Sequence, residues 1–262
     1  TSKVLPGVGL EEGKRQLLAC LQRLGVPRLD NWAIHGLNLP EHLSWALEGD
    51  GKELLRWAQD EGLVGQVGFS SHGSLELIHQ AIRSGAFRFC SLHLHLLEPS
   101  RMPLAAEAIA AGMGVMAISP ADKGGRLQDP SQTLRDDCSP FAPLELAYRY
   151  LLDAGISTLT LGAHQATDLA LAQRLATADH PLQSDERQAL ERMQTARQQR
   201  LMPHGCGQCR ACLPCPNQVP IPELLRLRNL RLGHDLRAYC EERYNLIGRA
   251  GHWWESRDAS AC

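Results

Sequence analysis

The chain lacks an excess of charge of either sign: of its 262 residues, 27 are Lys or Arg and 29 are Asp or Glu, a net −2. That balance removes the broad attraction to phosphate backbones on which nonspecific nucleic-acid binding depends. No apolar run approaches the ~20 residues of a membrane span, so a membrane-spanning helix is not expected. Low-complexity tracts are absent, and 44% hydrophobic with 21% charged residues excludes a disordered or fibrous chain. The first residues, Thr1-Ser2-Lys3-Val4-Leu5, show neither an initiator Met nor the charged-then-apolar pattern of a signal peptide. They read as the middle of a strand, which leads us to expect a chain whose earlier units are missing. No Gly-x-Gly-x-x-Gly turn follows any predicted strand, which weakens the case for an open doubly wound nucleotide fold.

What is present is an alternation of strand and helix patterns. Residues 29–36, 63–71, 87–97, 115–119 and 157–162 read as strands, and 53–61, 75–84, 104–111, 144–154 and 166–178 as helices. This alternation predicts parallel βα units. We count five such units, with the stub at 1–5 as the end of a sixth strand. A full (β/α)8 barrel needs ~250 residues. The expected fold is therefore α/β, the later part of a TIM barrel over 1–202, with an open doubly wound sheet as the alternative. A last helix opens at Ser184-Asp185-Glu186, a cap residue followed by acids, and closes with Arg197 and Arg200. Met202-Pro203-His204-Gly205 breaks it and marks the linker to a small α-helical domain over 203–262.

Nine cysteines are distributed unevenly. Cys20, Cys90 and Cys138 are scattered and read as small core residues. Cys206, Cys209, Cys212 and Cys215 fall within ten residues, followed by Cys240 and Cys262. An odd count with one dense cluster opposes a secreted disulfide framework and points to a reducing, cytoplasmic setting and a metal site. Three consecutive two-residue spacers let one loop present thiolates to separate irons, and Pro216 turns the chain away. Bacterial ferredoxins use a close relative of this spacing. A [4Fe-4S] cluster on the four cysteines is expected. Zinc is the alternative, although zinc sites usually pair two Cys-x-x-Cys units over a longer gap. Cys240 reads as a helix residue that could serve as a remote ligand. Cys262 could open a second Cys motif.

In a (β/α)8 barrel the chemistry sits at the C-terminal strand ends, and those ends are polar here. Lys3 ends the stub and His35 the next strand; Ser70, Ser71 and His72 end the third. Ser91, His93 and His95 share one face of 87–97 by two-residue spacing. His93 and His95 suggest a metal site, but no third ligand with suitable spacing is evident in the sequence, and lining of the barrel interior is expected instead. Ser119-Pro120-Ala121-Asp122-Lys123-Gly124-Gly125-Arg126 leaves the next strand, with glycines that admit a phosphate and flanking positive charge. Gly162-Ala163-His164 leaves the last.

These pieces, in this order, resemble the aldo-keto reductase superfamily, in the bacterial branch that carries a C-terminal ferredoxin-like [4Fe-4S] domain. The run Ile118-Ser119-Pro120-Ala121-Asp122-Lys123-Gly124-Gly125 and the cysteine loop through Pro222 carry the resemblance most specifically. It implies hydride transfer between a nicotinamide cofactor, NADP or NAD, and a small carbonyl or alcohol. Lys3 matches the tetrad lysine that lowers the pKa of a catalytic Tyr, and His35 the histidine that orients the carbonyl. The tetrad Tyr and Asp belong to the first barrel units, which are absent, so little or no reductase activity is expected of the chain alone. Ser70 and Ser71 match the holders of the nicotinamide carboxamide. Ser91 stands where many relatives have Gln. Ser119, Pro120, Asp122, Lys123, Gly124 and Gly125 match the loop along the pyrophosphate, and Gly162 opens the loop near the adenosine end. The resemblance also implies a redox partner protein. The competing reading is a non-catalytic Fe-S electron carrier or redox sensor on a barrel scaffold; a zinc-stabilised interaction module is a third.

Overall fold

The computed structural model describes residues 1–122, 126–163, 165–177, 181–247 and 258–261. The chain forms two compact units, Thr1–Pro120 with Ala154–Leu161, and Ala121–Asp153 with Gly162–Cys262. The expected boundary at 202/203 falls inside the second.

In the first unit the order is β1 (Ser2–Val4), α1 (Leu10–Leu24), β2 (Leu29–His35), α2 (Pro40–Glu48), α3 (Asp50–Asp60), β3 (Val64–Ser71), α4 (Leu75–Arg83), β4 (Phe89–His93), α5 (Met102–Ala110), β5 (Gly114–Ile118) and β6 (Thr158–Leu159). The strands make one parallel sheet in the order β1-β2-β3-β4-β5-β6. Each strand pairs with the next in sequence, as barrel winding requires; a doubly wound sheet reverses direction at a switch point. The stub at the N-terminus is a sixth strand, with Lys3 opposite Ala33 and Val4 opposite Ile34.

Alternation along each strand separates two faces. Trp32, Ile34, Val67, Phe69, Cys90, Leu92, Val115 and Ala117 occupy one face and are all buried. This is the face against which the crossover helices pack in a βα fold. α4 shows how the sequence achieves it. Ser74 caps the helix by accepting the Leu77 N–H at 3.2 Å, and Leu77, Ile78, Ala81 and Ile82 form its buried stripe. The opposite face carries Lys3, Ala33, His35, Gly68, Ser70 and Ser91.

Several expectations are corrected. The strand expected over 87–97 ends at His93; β5 ends at Ile118 opposite it, so no partner remains to pair residues beyond. His95 lies beyond the strand end, in an isolated bridge to Glu98, and is buried beside His93. The strand expected over 157–162 is only Thr158–Leu159. α1 and α2 were not expected.

In the second unit, α6 (Gln132–Cys138) and α7 (Pro143–Asp153) precede a 3-10 turn at Ala166–Leu169, α8 (Ala170–Ala176), α9 (Ser184–Leu201), α10 (Ile221–His234) and α11 (Arg237–Leu246). The cap of α9 is Gln183, one residue earlier than expected. Its amide receives a backbone N–H while Glu186 returns a bond to the Gln183 N–H at 2.7 Å. Glu186 also holds Arg149 of α7 in a two-pronged ion pair, which offsets the cost of burying its carboxylate. α9 and α10 approach closely at Gly233, where an added Cβ would stand 3.2 Å from Arg197 Cγ. No described helix is long and apolar enough to cross a membrane.

Candidate functional site

Parallel register sets the site. His35 pairs with Ser70, Ser70 with Ser91, and Ser91 with Met116, so these side chains form one row across four strands. One step below, Lys3, Ala33, Gly68 and Phe89 form the next row. Ala33 and His35 are two apart on β2, so Lys3 and His35 share a face at the C-terminal strand ends. Both are exposed. Partial loss of water, and then the nearby Lys3 charge, hold the His35 imidazole below its ordinary value of 6.5. The ring is thus neutral at neutral pH and can donate one N–H, with a fixed positive charge beside it.

The two serines are placed differently. Ser70 Oγ donates to the Ile34 carbonyl at 3.3 Å and accepts the Gly36 N–H at 3.1 Å. Ser71 lies on the helix-facing side and is fully buried; its Oγ donates to the Leu37 carbonyl and accepts the Gly73 N–H at 3.0 Å. His72 N–H adds a bond to Asn38 Oδ1 at 2.7 Å. Both hydroxyls lace the exit of β2 to the exit of β3, and Gly36, with φ +85°, supplies the turn between them. Ser91 is buried, and its only described partner is Met116 Sδ at 3.7 Å. His93 is stacked edge-on against His95, with ring centres 4.8 Å apart, and faces His72 at 6.1 Å.

Ser119 leaves β5 with a left-handed φ of 54°, and its N–H donates to Thr160 Oγ1 at 3.3 Å. A non-glycine residue in that region is uncommon and marks a constrained turn. Pro120, next in the chain, is buried. In the second unit, Asp122 is also left-handed, at 62°, and its buried carboxylate is ion-paired with Arg226 of α10. Arg126 stacks on Tyr239 of α11 at 4.7 Å. Lys123, Gly124, Gly125 and His164 lie outside the described residues. Gly162 is exposed, and its carbonyl accepts the Gln128 amide at 3.2 Å. No sequence pattern signals Arg226 or Tyr239, because their partners lie more than a hundred residues away.

The four-cysteine loop runs between α9 and α10. Cys206 and Cys215 are half-buried, and Cys209 and Cys212 are exposed. Gln208, Arg210 and Gln218 adopt left-handed φ values of 57°, 63° and 59°, which coil the loop repeatedly. Gln208 turns both its backbone N–H and its side-chain amide toward Cys206 Sγ, each at 3.4 Å. Four soft thiols, with two N–H donors aimed at the Cys206 sulfur, are a donor set of the kind that holds an iron–sulfur group. Cys240 does not join them: it is buried, its S–H donates to the Leu227 carbonyl at 3.2 Å, and burial pushes it up to about 11. Burial likewise pushes Cys90 and Cys138 up to about 12, as befits core thiols. Cys262 lies outside the described residues.

No family model and no curated protein matches the chain. Solved structures do. An aldo-keto reductase of Bacillus halodurans in its apo form shares 18% identity over 72% of this chain and 69% of its own, with a TM-score of 0.58. An aldo-keto reductase from a Medee basin deep-sea metagenome library shares 14% identity over 72% of this chain and 69% of its own, with a TM-score of 0.57. A variant of Gox0644 solved in complex with NADPH shares 18% identity over 73% of this chain and 69% of its own, with a TM-score of 0.55. The likeness is one of fold: the parallel α/β arrangement seen here is the one these enzymes share.

Proposed function

We propose that the chain derives from an aldo-keto reductase-type oxidoreductase that exchanges hydride between NAD(P)H and a small carbonyl or alcohol. In this reading an iron–sulfur segment, 203–262, follows the barrel segment, 1–202. The observation that carries it is the pairing of Lys3 with a neutral His35 on one face at the C-terminal strand ends. Hydride delivery to a carbonyl builds charge on its oxygen, which needs a hydrogen-bond donor and a positive field. His35 supplies the donor and Lys3 the field. A nicotinamide cofactor, when bound, would supply the hydride. None of the six strands carries a tyrosine, so the rim described here holds no phenol to deliver the proton. Cys206, Cys209, Cys212 and Cys215 would hold a [4Fe-4S] group, whose chemistry is one-electron transfer to a redox partner.

The test is a fluorescence titration of the chain with NADPH and NADH, followed by a steady-state assay with simple aldehydes. Quenching of the nicotinamide signal with little turnover is expected. Normal turnover would refute the incompleteness of the rim, and absence of quenching would refute the cofactor assignment.

One observation favours a second reading, an electron carrier or redox sensor on a barrel scaffold. The hydroxyls of Ser70 and Ser71 are engaged by backbone carbonyls, and Asp122 by Arg226, so three residues expected at a cofactor have protein partners instead. Brown colour with a broad band near 400 nm in oxygen-free protein that fails to bind nucleotide would establish that reading; zinc gives no such band.

A further inference from the structure

We propose that Asn229 and Gln208 are positioning residues that fix Cys206 as the pre-set sulfur ligand of the loop, onto which Cys209, Cys212 and Cys215 close. The inference rests on the iron–sulfur reading of 206–215 and goes beyond it by naming what holds the first ligand.

Asn229 is buried on α10, between the core residues Leu227 and Leu230. A buried amide is costly unless its donors and acceptor are satisfied. Here one amide serves both sides of a single residue. Its Oδ1 accepts the Cys206 N–H at 3.2 Å, and its Nδ2 donates to the Cys206 carbonyl at 2.8 Å. Bonds on both sides of one Cα restrain φ and ψ together, so the direction of the Cys206 side chain is set by a helix rather than by a loop. Arg228, the neighbour on α10, donates to the His204 carbonyl at 2.6 Å and fixes the approach two residues upstream.

Gln208 completes the seat. Its left-handed backbone swings its N–H back to Cys206 Sγ, and its side-chain Nε2 reaches the same sulfur while also donating to the Pro222 carbonyl at 3.0 Å. Two N–H donors thus point at one sulfur, and one of them is tied to the start of α10. Such donors interact more strongly with an anionic thiolate than with a thiol, and hydrogen bonds to ligand sulfur raise the reduction potential of a cluster. Cys209 and Cys212, by contrast, are exposed. Cys206 is thus the ligand whose backbone and sulfur are both tied to α10, and such partners around a ligand orient it toward a metal.

The experiment uses the full chain reconstituted with iron and sulfide without oxygen. Gln208→Leu keeps the backbone donor and removes the side-chain one. Its iron and sulfide content should match the parent, and its reduction potential should move to a more negative value. Asn229→Ala should release iron to a chelator faster, by about fivefold for each hydrogen bond lost. Asn229→Asp keeps the acceptor and loses the donor, so an intermediate rate is expected; it also serves if the alanine variant fails to fold. Parent-like release rates in Asn229→Asp and a parent-like potential in Gln208→Leu would overturn the inference while leaving the iron–sulfur reading intact. A parent chain that takes up no iron and sulfide would remove both.

Discussion

His35 shows how much a single residue can report. Its imidazole is held below 6.5 first by lost hydration and second by Lys3. Replacing Lys3 with Met removes the second cause and leaves the first. The His35 titration midpoint, followed by ring-proton NMR, should therefore rise partway toward 6.5 in Lys3→Met, and an unmoved midpoint would contradict the pairing. The sign for stability follows. A depressed imidazole contributes stability that is present above the unfolded value and is lost as pH falls through the folded one. Lys3→Met should lose less stability than the parent across that acid window. Lys3 and His35 were legible in the sequence because both end a strand pattern and strand ends point to one rim. The partners of Ser70 and Ser71 were not legible: they are the backbone carbonyls of Ile34 in β2 and of Leu37 just beyond its end, and nothing in a serine announces which carbonyl it will meet.

At the scale of elements, glycine separates what the sequence shows from what it hides. α1 was not anticipated, partly because Gly13 interrupts its apolar spacing. Structure explains the glycine: a Cβ there would lie 2.3 Å from Leu54 Cδ2 of α3. A poor helix former is used where two helices must touch. Gly51 does the same beside the Trp45 ring, where a Cβ would come within 2.7 Å, so α3 begins earlier than the 53–61 pattern implied. Gly68 of β3 is less forgiving, because an added Cβ would stand 2.4 Å from the Phe89 carbonyl oxygen of β4, which is backbone and cannot swing aside. Gly68→Ala should cost about 2–3 kcal/mol by overpacking. Gly13→Ala should be milder, because Leu54 can shift and alanine gains about 1 kcal/mol of helix propensity. Urea unfolding midpoints for the two variants check the order. A Gly13→Ala loss larger than that of Gly68→Ala would show that the β3–β4 approach is looser than described.

For the molecule as a whole, the order of elements was legible and the long-range pairs were not. Strands alternating with helices implied parallel winding, and sequential strand order decided for the barrel type over the doubly wound alternative. At 14–18% identity to the solved structures it matches, the chain shares their fold while most side chains differ. Asp122 and Arg226 illustrate what such change can hide. The sequence placed Asp122 in a phosphate-binding loop, yet 104 residues on, Arg226 reaches its carboxylate with both side chains almost wholly buried. A buried pair adds little net stability over a well-packed apolar pair, but losing one partner strands the other charge at a cost of about 3–5 kcal/mol. Arg226→Met should therefore destabilise the second unit strongly, and so should Asp122→Leu. The double variant should recover much of the loss, because neither charge is left alone. Hydrogen exchange of peptides from 221–247, read beside the unfolding midpoint, locates the effect in α10 and α11. Additive losses in the double variant would mean that each residue is held chiefly by its other neighbours rather than by this pair.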